Sequence, residues 1–391
     1  MATYERRRYL LMTSDPVHIG TGGYRLGRVD NSIVREPGVN LPKIPGTSLH
    51  GAIRSYAARI YENLAAAGQT HNGVANPERD PICYTFGYNQ QAQGQRDEEA
   101  TMYAGVVSIF DAQILCFPVY SMAGPVWVTT PARLRAAGFT VGALPNTWPT
   151  DMALFTWPRN DALNLGWLML RAGPQTVSVA LPPGGVTKWQ TTSWAEIANR
   201  LVFVQEALFA QIVNSNLEVR TSVSINPERG AAEDGALFTY EALPRATLLT
   251  MDVVLDDYRA LATSNGNGAA VATQAEAPVA QDEAPATQAE ASVTQDEAPV
   301  TQDEAPVTPV AQAAAPVTQD EAPAVFPVST VYGDPTRPLP GAPWQGPLDV
   351  VQAGLAAISW LGVGGMGTRG FGRLQIVGQP LVQRFGEEVW Q

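Results

Sequence analysis

The sequence predicts an α+β fold, in which helices cover one face of a β-sheet. Its first part runs from an alternating, β-rich segment through a loop into a helical pattern. Its last part runs from a helix at residues 348–361 through a glycine-rich loop into a closing strand at residues 370–377. With 391 residues, of which 45% are apolar, the chain is long enough for one large domain or two ordinary ones.

The first strand and the first helix have separate signals. Residues 7–19 alternate and are β-rich, which is typical of a half-buried strand. Apolar residues then recur at spacings of three and four, which predicts a helix over residues 48–67. Thr47 or Ser48 can cap this helix, and Gly68 can end it.

The middle of the chain is rich in β-signals. Residues 106–119 and 126–130 predict strands. Residues 217–225 and 236–240 flank the turn-rich sequence NPERGAAEDG, so we expect a long hairpin there. Four tryptophans in irregular, proline-rich sequence are expected to pack in the core or in a lid: Trp157, Trp167, Trp189 and Trp194.

An acidic low-complexity segment interrupts the chain at residues 261–330. Within it, residues 273–324 repeat a seven-residue unit such as TQDEAPV. Proline in nearly every copy excludes a coiled coil, and low hydrophobicity with one-sided charge predicts a disordered tether. Periodic structure resumes afterwards, so we expect one domain, formed by residues 1–260 and 331–391, with an expanded surface loop.

The formal net charge of −12 argues at first against a nucleic-acid partner, because phosphate binding needs a basic footprint. The acidic segment alone contributes ten carboxylates and no Lys or Arg, and taking those ten charges from −12 leaves −2. The remainder is therefore close to neutral, which permits a local basic groove.

Metal-binding and membrane signals are weak. Cysteines occur only at Cys83 and Cys116 and histidines only at His18, His50 and His71, so no CxxC or HxxxH pattern indicates a structural zinc site. No apolar run approaches the roughly 18 to 20 residues that span a bilayer, and the charged start is unlike a signal peptide. We expect a cytoplasmic protein without membrane contacts.

The first segment that could carry binding or catalytic residues is residues 18–54, HIGTGGYRLGRVDNSIVREPGVNLPKIPGTSLHGAIR. Its glycines keep the backbone open after the first strand. Lys43 and the hydroxyls that follow it reach a helix N-terminus, where free N–H groups and the helix dipole favour a phosphate. Polar residues between these two features are Arg28, Asp30, Asn31, Arg35 and Glu36.

Two more segments complete the set of candidates. Residues 362–373, GVGGMGTRGFGR, combine glycines, which let a backbone approach a ligand closely, with Arg369 and Arg373, which can bind phosphates through two N–H groups. The other segment is the hairpin candidate around residues 220–245. Neither glycine segment matches GxxxxGK[ST] or GxGxxG, so a mononucleotide or dinucleotide site is not predicted.

Each candidate also has a purely structural interpretation. Glycine clusters commonly form turns. Asp30 has no second carboxylate until Glu36, so it also fits a turn residue or an N-cap. His18, at the end of a strand, also fits a packed and hydrogen-bonded histidine.

Taken together, three motifs resemble the repeat-associated mysterious protein (RAMP) superfamily. They are PVHIGTGGYRLGRVDNSIVREPGVNLPKIPGTSLHGAIRSY, SIFDAQILCFPVYSMAGPVWVTTPARL and GVGGMGTRGFGR. The resemblance spans nearly the whole chain outside the acidic segment. The central motif is most similar to the backbone subunits of type III-B (Cmr-type) CRISPR effectors, while LGRVDN also resembles the type III-A backbone subunit.

The resemblance implies a ferredoxin-like (RRM-like) fold with insertions and a protruding hairpin, or thumb. It implies copies that polymerise along a CRISPR guide RNA beside other effector subunits and cut target RNA at six-nucleotide intervals. Asp30 falls where the family carries the aspartate required for this cleavage. Cleavage in the family uses a divalent ion (Mg²⁺ or Mn²⁺) and attack by the 2′-hydroxyl of the RNA, and the Asp30 carboxylate would either activate that hydroxyl or hold the ion.

The resemblance also implies a set of guide-RNA contacts. Many relatives have lysine at the position of His50, so a cationic contact there is weakened or is replaced by Arg54. The implied contact residues are His18, Lys43, Ser48, His50, Arg54, Gly364, Gly365, Gly367, Thr368, Arg369 and Gly370.

Two alternatives remain open on the sequence alone. One is a non-cleaving structural backbone of the same type of complex, either III-A-like or III-B-like, in which Asp30 is only a turn residue. The other is a guide-processing endoribonuclease of the same superfamily, for which His18 and His50 form the available acid/base pair.

Overall fold

The structure, a computed structural model, describes residues 4–22, 29–68, 70–74, 76–90, 101–145, 147–226, 228–259 and 346–391. These residues belong to one compact unit, Met1–Asn265 with Val325–Gln391. The predicted acidic insert at residues 261–330 and the predicted polar residue Arg28 lie outside the described residues. No helix within the described ranges is both long and apolar enough to cross a membrane.

The described chain alternates short strands and helices. The strands are β1 (Tyr4–Thr13), β2 (Lys43–Ile44), β3 (Gly87–Gln90), β4 (Thr101–Ala104), β5 (Val107–Ile109), β6 (Ala112–Ser121), β7 (Gly124–Thr129), β8 (Thr140–Val141), β9 (Met152–Phe155), β10 (Leu163–Leu165), β11 (Leu168–Thr176), β12 (Val179–Ala180), β13 (Leu201–Phe203), β14 (Glu218–Asn226), β15 (Ala231–Ala242), β16 (Leu248–Asp256), β17 (Leu374–Ile376) and β18 (Leu381–Arg384). The helices are α1 (Gly46–Ile60), α2 (Pro81–Phe86), α3 (Pro131–Ala136), α4 (Gly185–Lys188), α5 (Thr192–Ala198), α6 (Glu206–Ser215) and α7 (Pro347–Leu361), with short 3-10 helices at Leu64–Ala67 and Gly367–Arg369.

A mixed twelve-stranded sheet forms the centre of the unit. Its strands follow the order β10-β11-β9-β13-β7-β6-β16-β1-β17, with β18 beside β1, β2 beside β6 and β5 beside β16. The longest pairing is antiparallel, between β1 and β16, and places Tyr9 opposite Met251. Parallel pairing occurs between β9 and β11 and between β7 and β13. The hairpin β14–β15 is paired separately from this sheet.

Both faces of the sheet are covered, so the prediction of helices on one face only is wrong. Successive residues of a strand point to opposite faces. Tyr9 and Leu11 join the large core with α1 and α7, whereas Leu10 joins a second cluster with Trp189 and Trp194. The second cluster comes from α3, α5 and the segments around them, whose short, irregular sequences carry no clear periodicity.

Two of the four tryptophans are core residues, as expected. Trp189 and Trp194 are buried in the second cluster, and Trp157 is partly buried against the large core. Trp167 contradicts the packing prediction, because it is 76% exposed at the turn between β10 and β11.

Helices α1 and α7 pack closely on the first face. A Cβ atom at Gly354 would lie 2.3 Å from the carbonyl oxygen of Ile53, so this crossing requires glycine. Leu49 and Ile53 of α1 and Leu355 and Ile358 of α7 fill the shared core. The packing fixes the end of α7, from which the glycine-rich segment begins.

Several predicted boundaries shift. The helix predicted at residues 48–67 divides into α1 and a 3-10 helix that ends at Gly68. The strand predicted at residues 106–119 divides into β5 and β6. The closing strand shortens to β17, because Gly370 and Gly372 have φ angles of 80° and 97°, outside the strand region.

Neither Thr47 nor Ser48 caps α1, so that prediction is wrong. The residue before the helix is Pro45, which offers no side-chain cap. Instead, Asp111, in the break between β5 and β6, accepts a hydrogen bond of 2.7 Å from the N–H of Gly46. A carboxylate at a helix N-terminus satisfies a free donor and the dipole together, so no hydroxyl is needed from the helix itself.

Candidate nucleic-acid interface

The three segments singled out from the sequence meet around His18, which follows β1. His18 is buried, and its Nδ1 lies 2.7 Å from the carbonyl oxygen of Glu241 in the hairpin. The N–H of Gly365 donates to the carbonyl oxygen of His18 at 2.9 Å, and the ring of Tyr240 packs edge-on at 6.0 Å. His18 therefore connects the glycine segment to the base of the hairpin. This agrees with the structural interpretation of His18 as a packed and hydrogen-bonded histidine.

The glycine segment presents its backbone to solvent after α7. Its candidate residues are all exposed: Gly364, Gly365, Gly367, Thr368, Arg369 and Gly370. Gly364 has a φ angle of 88°, and a Cβ atom there would lie 2.5 Å from the carbonyl oxygen of His18. The segment can thus lie flat on His18 only with glycine at this position, and its outer side remains open to a polymer backbone.

Arginines from the glycine segment and the hairpin gather beside this backbone. Arg369 stacks over Phe238 at 5.4 Å, and Arg220 stacks over Phe371 at 4.6 Å. Arg373 forms an ion pair with Asp15, and its hydrogen bond, followed by its charge, holds the pKa of that carboxyl below the usual value despite the opposing effect of burial. Arg220 Nε also donates to Glu218 at 2.5 Å. Stacking holds both exposed guanidinium groups in place, and their remaining N–H groups can donate to phosphate oxygens.

The hairpin β14–β15 lies where the flanking strand signals predicted it. Its strands pair from Glu218 opposite Ala242 to Asn226 opposite Ala231. Strand alternation places Phe238 and Tyr240 on the side of the glycine segment, and Thr239 and Glu241 on the other. That other side contacts residues 30–35, so the hairpin separates the glycine segment from Asp30.

Asp30 is exposed and is held by Thr239 of the hairpin. Its Oδ2 accepts hydrogen bonds from the backbone N–H of Thr239 at 2.7 Å and from Thr239 Oγ1 at 2.9 Å. The hydrogen bond from the Thr239 backbone, followed by the one from its hydroxyl, lowers the pKa of Asp30 below its usual value. The carboxylate is therefore ionised at neutral pH. The other oxygen, Oδ1, accepts no hydrogen bond from another described residue.

A partly buried ion pair supports the same segment. Glu241 Oε1 accepts from Arg35 Nη1 at 2.6 Å and from the N–H of Ile33 at 2.9 Å. Arg35 Nε also donates to Asn214 of α6 at 2.8 Å. Sequence reasoning did not select Thr239 or Glu241, because their partners lie more than 200 positions away and neither residue belongs to a motif.

The donor chemistry near Asp30 is compatible with a divalent ion only when RNA contributes. Within the described ranges, no group of three or more His, Cys, Asp and Glu side chains is placed to hold a metal. Asp30 offers one free carboxylate oxygen. Mg²⁺ is commonly held by one or two carboxylates together with water and substrate phosphates, so a single oxygen fits such a shared site.

Lys43 is already paired inside the protein. Its Nζ lies 2.6 Å from Glu36 Oε2 and 2.6 Å from Asp111 Oδ2, and the hydrogen bonds that it donates to Asp111 and then to Glu36 raise its pKa. Asp111 also occupies the N-terminus of α1. The geometry therefore argues against the phosphate cradle predicted here, because two carboxylates already surround the cation. Ser48, the third residue of α1, is half-buried.

Arg54 and His50 of α1 also have internal partners. Arg54 donates to the carbonyl oxygens of Ala66 and Gly87, both at 2.9 Å, and contacts Nε2 of His71. His50 packs edge-on against Phe86 at 5.1 Å, and burial, followed by the charge of Arg54, lowers its pKa. The guanidinium group of Arg54 therefore already has internal partners. No hydrogen bond or ring contact in the described chain joins His50 to His18.

Comparisons with known proteins agree with the resemblance seen in the sequence. The model of the RAMP superfamily matches residues 11–266. The CRISPR system Cmr endoribonuclease Cmr4 of Pyrococcus furiosus is 27% identical over 250 residues, which cover 61% of this chain and 77% of that protein.

Solved structures give a weaker likeness. A chain of the type III-B Cmr-beta complex in its apo state has 14% identity and a TM-score of 0.43, covering 66% of this chain and 88% of that one. Oligomeric Cmr4 from Pyrococcus furiosus has 20% identity and a TM-score of 0.39, covering 67% and 87%.

Proposed function

The chain belongs to the RAMP superfamily, and on that premise we propose that it is a guide-RNA-binding backbone subunit of a type III-B CRISPR effector complex that cleaves target RNA. The observation that carries the proposal is the arrangement around the hairpin β14–β15. An open glycine segment with stacked arginines lies on one side, and an ionised, exposed Asp30 lies at the other.

The glycine segment and its arginines are the proposed guide side. The phosphodiester backbone would lie along residues 364–370, with Arg369 and Arg220 donating to phosphate oxygens. Such contacts position an RNA without regard to its sequence, as a subunit that accepts any guide requires. Copies of the chain repeated along one RNA, beside other effector subunits, would each use the same contacts.

The finer description of the fold is part of the proposal. The strands β1, β6 and β16, with α1 and α7 on one face, would be the ferredoxin-like core. The hairpin β14–β15, paired outside the main sheet, would be the thumb that displaces a nucleotide at each subunit. Displacement at every copy accounts for cuts at six-nucleotide intervals.

Cleavage would use the free oxygen of Asp30. Because Asp30 is ionised, Oδ1 can accept the proton of an RNA 2′-hydroxyl as that oxygen attacks the adjacent phosphate. The bond from phosphorus to the 5′-oxygen breaks as the new bond forms, so one product ends in a 2′,3′-cyclic phosphate and the other in a 5′-hydroxyl that takes its proton from water. The hairpin would hold the displaced nucleotide so that the attacking and leaving oxygens are in line. Alternatively, the same oxygen would hold a divalent ion (Mg²⁺ or Mn²⁺) together with RNA phosphates, and the ion would neutralise charge on the phosphate.

A single-turnover cleavage assay on the assembled complex tests the proposal. Asp30→Ala and Asp30→Asn should each abolish regularly spaced cuts in target RNA with Mg²⁺ present, while guide and target binding stay unchanged. Asp161→Ala, at an exposed aspartate far along the chain, is the matched control and should cut at the wild-type rate.

The same assay separates the alternatives. Wild-type complex that binds target without cutting it would indicate a structural backbone of III-A-like or III-B-like type. Precursor RNA cut by the free chain would indicate a guide-processing enzyme. Normal cutting by Asp30→Ala would remove Asp30 from the chemistry.

A further inference from the structure

Thr239 makes more contacts with Asp30 than the sequence could indicate. Besides its two donors to Oδ2, at 2.7 and 2.9 Å, Thr239 Oγ1 accepts the backbone N–H of Asp30 at 3.1 Å. Accepting that N–H turns the hydroxyl hydrogen of Thr239 toward Oδ2. One threonine therefore binds both the backbone and the carboxylate of Asp30, across 209 positions of sequence.

The backbone that follows Asp30 is bound to the hairpin. The N–H of Asn31 donates to the carbonyl oxygen of Thr239 at 3.0 Å, and the N–H of Glu241 donates to the carbonyl oxygen of Asn31 at 3.2 Å. The Glu241 side chain accepts the N–H of Ile33. Residues 31–33 are thus bound to β15, next to the Asp30 side chain.

The Thr239 hydroxyl restrains rotation of the Asp30 carboxylate. Two donors of Thr239 bind Oδ2, and Oδ1 accepts no hydrogen bond from another described residue. Without the hydroxyl, the backbone N–H would be the one donor of Thr239 to the carboxylate, and either oxygen could turn toward it. The orientation would no longer be unique, although the hairpin and its backbone pairing would remain.

We propose that Thr239 is a positioning residue for RNA cleavage: its hydroxyl fixes the Asp30 carboxylate so that one oxygen faces the reacting RNA. The inference rests on the proposed function of Asp30. It also gives the hairpin two roles, because the strand that would displace the nucleotide would also orient the Asp30 carboxylate.

Thr239→Val tests this inference with little change in shape. Valine keeps the β-branch and the backbone N–H but removes the hydroxyl. We expect the single-turnover cleavage rate of the assembled complex to fall about tenfold, as for loss of one hydrogen bond to a charged group. Thr239→Ser keeps the hydroxyl and should restore the rate to within about threefold.

The pair Thr239→Val and Thr239→Ser supplies a readout that a structural defect of the hairpin alone does not give. The two variants differ in the hydroxyl that binds Oδ2 and the backbone N–H of Asp30. Recovery of the cleavage rate in Thr239→Ser, with loss in Thr239→Val, therefore assigns the effect to that hydroxyl.

Thr221 provides the matched control. It lies directly opposite Thr239 in the hairpin register and is exposed, and no hydrogen bond in the described chain joins it to Asp30. Thr221→Val should cut target RNA at the wild-type rate. Guide and target affinities, measured for all three variants, should match wild type.

The outcomes separate this inference from the proposed function. A wild-type rate for Thr239→Val, with Asp30→Ala inactive, overturns the positioning role alone. Full activity of Asp30→Ala overturns the proposed function and the inference with it. An equal loss in Thr221→Val and Thr239→Val also overturns the positioning role, since it assigns the effect to the hairpin as a whole.

Discussion

Three arginines proposed as RNA contacts differ in what surrounds their guanidinium groups. Arg369 and Arg220 stack on aromatic rings and stay exposed beside the glycine segment. Arg54 instead donates to carbonyl oxygens inside the unit. A sequence motif shows that a residue is cationic but not which acceptors it already has, which is why Arg369 and Arg54 were indistinguishable before the structure was known.

This division predicts two different phenotypes. Arg369→Ala should weaken guide RNA binding and lower the salt slope of log affinity by about one, because one phosphate contact is lost. Arg54→Ala should leave that slope unchanged and lower stability by about 1 to 3 kcal/mol, because two buried carbonyl oxygens lose their donor.

Filter binding at several salt concentrations and chemical denaturation measure the two effects. Arg171→Ala, which removes an exposed arginine paired only with Asp151, is the control and should change neither quantity. An unchanged salt slope for Arg369→Ala would remove it from the guide side.

At the scale of elements, local periodicity predicted the strands and helices better than their ends. The helix pattern of residues 48–67 was real, yet α1 ends at Ile60 and starts from a cap that the sequence does not show. The cap is Asp111, which comes from a break in a predicted strand about 65 positions further on. Hydroxyls at the helix start suggested local capping, and a distant carboxylate took that role instead.

The cap gives a direct prediction. Asp111→Ala should lower the free energy of unfolding by about 1 to 2 kcal/mol, because it removes the acceptor for Gly46 and one carboxylate from Lys43. Thr47→Ala and Ser48→Ala should each change it by less than about 0.5 kcal/mol. Urea denaturation of the three variants compares them, and a larger loss for Ser48→Ala than for Asp111→Ala would contradict this account of the helix start.

At the scale of the whole molecule, the sequence predicted the α+β class and the presence of the hairpin, while the structure alone showed which segments meet. The convergence of His18, the glycine segment and the hairpin depends on pairings between residues more than 200 positions apart. The second layer over the sheet was missed for a related reason, because its apolar residues are scattered among short elements. Only the folded structure brings Leu10, Trp189 and Trp194 together.

The acidic segment gives a prediction at this scale from its sequence. Deleting residues 273–324 should leave the melting temperature and guide affinity unchanged, because a proline-punctuated acidic tract buries little apolar surface. Differential scanning fluorimetry and RNA binding of the shortened chain test this expectation. A fall of many degrees or a loss of assembly would show that the tract packs against something.

The identity of the RNA that accompanies the chain tests the central claim most directly. The chain is to be expressed with its neighbouring effector subunits, the complex purified at moderate salt, and the bound nucleic acid extracted and sized. The account predicts small RNA of uniform length, with less of it when Arg369→Ala and Arg220→Ala are combined. A complex that assembles fully but carries no RNA, or only RNA of random length, would contradict it.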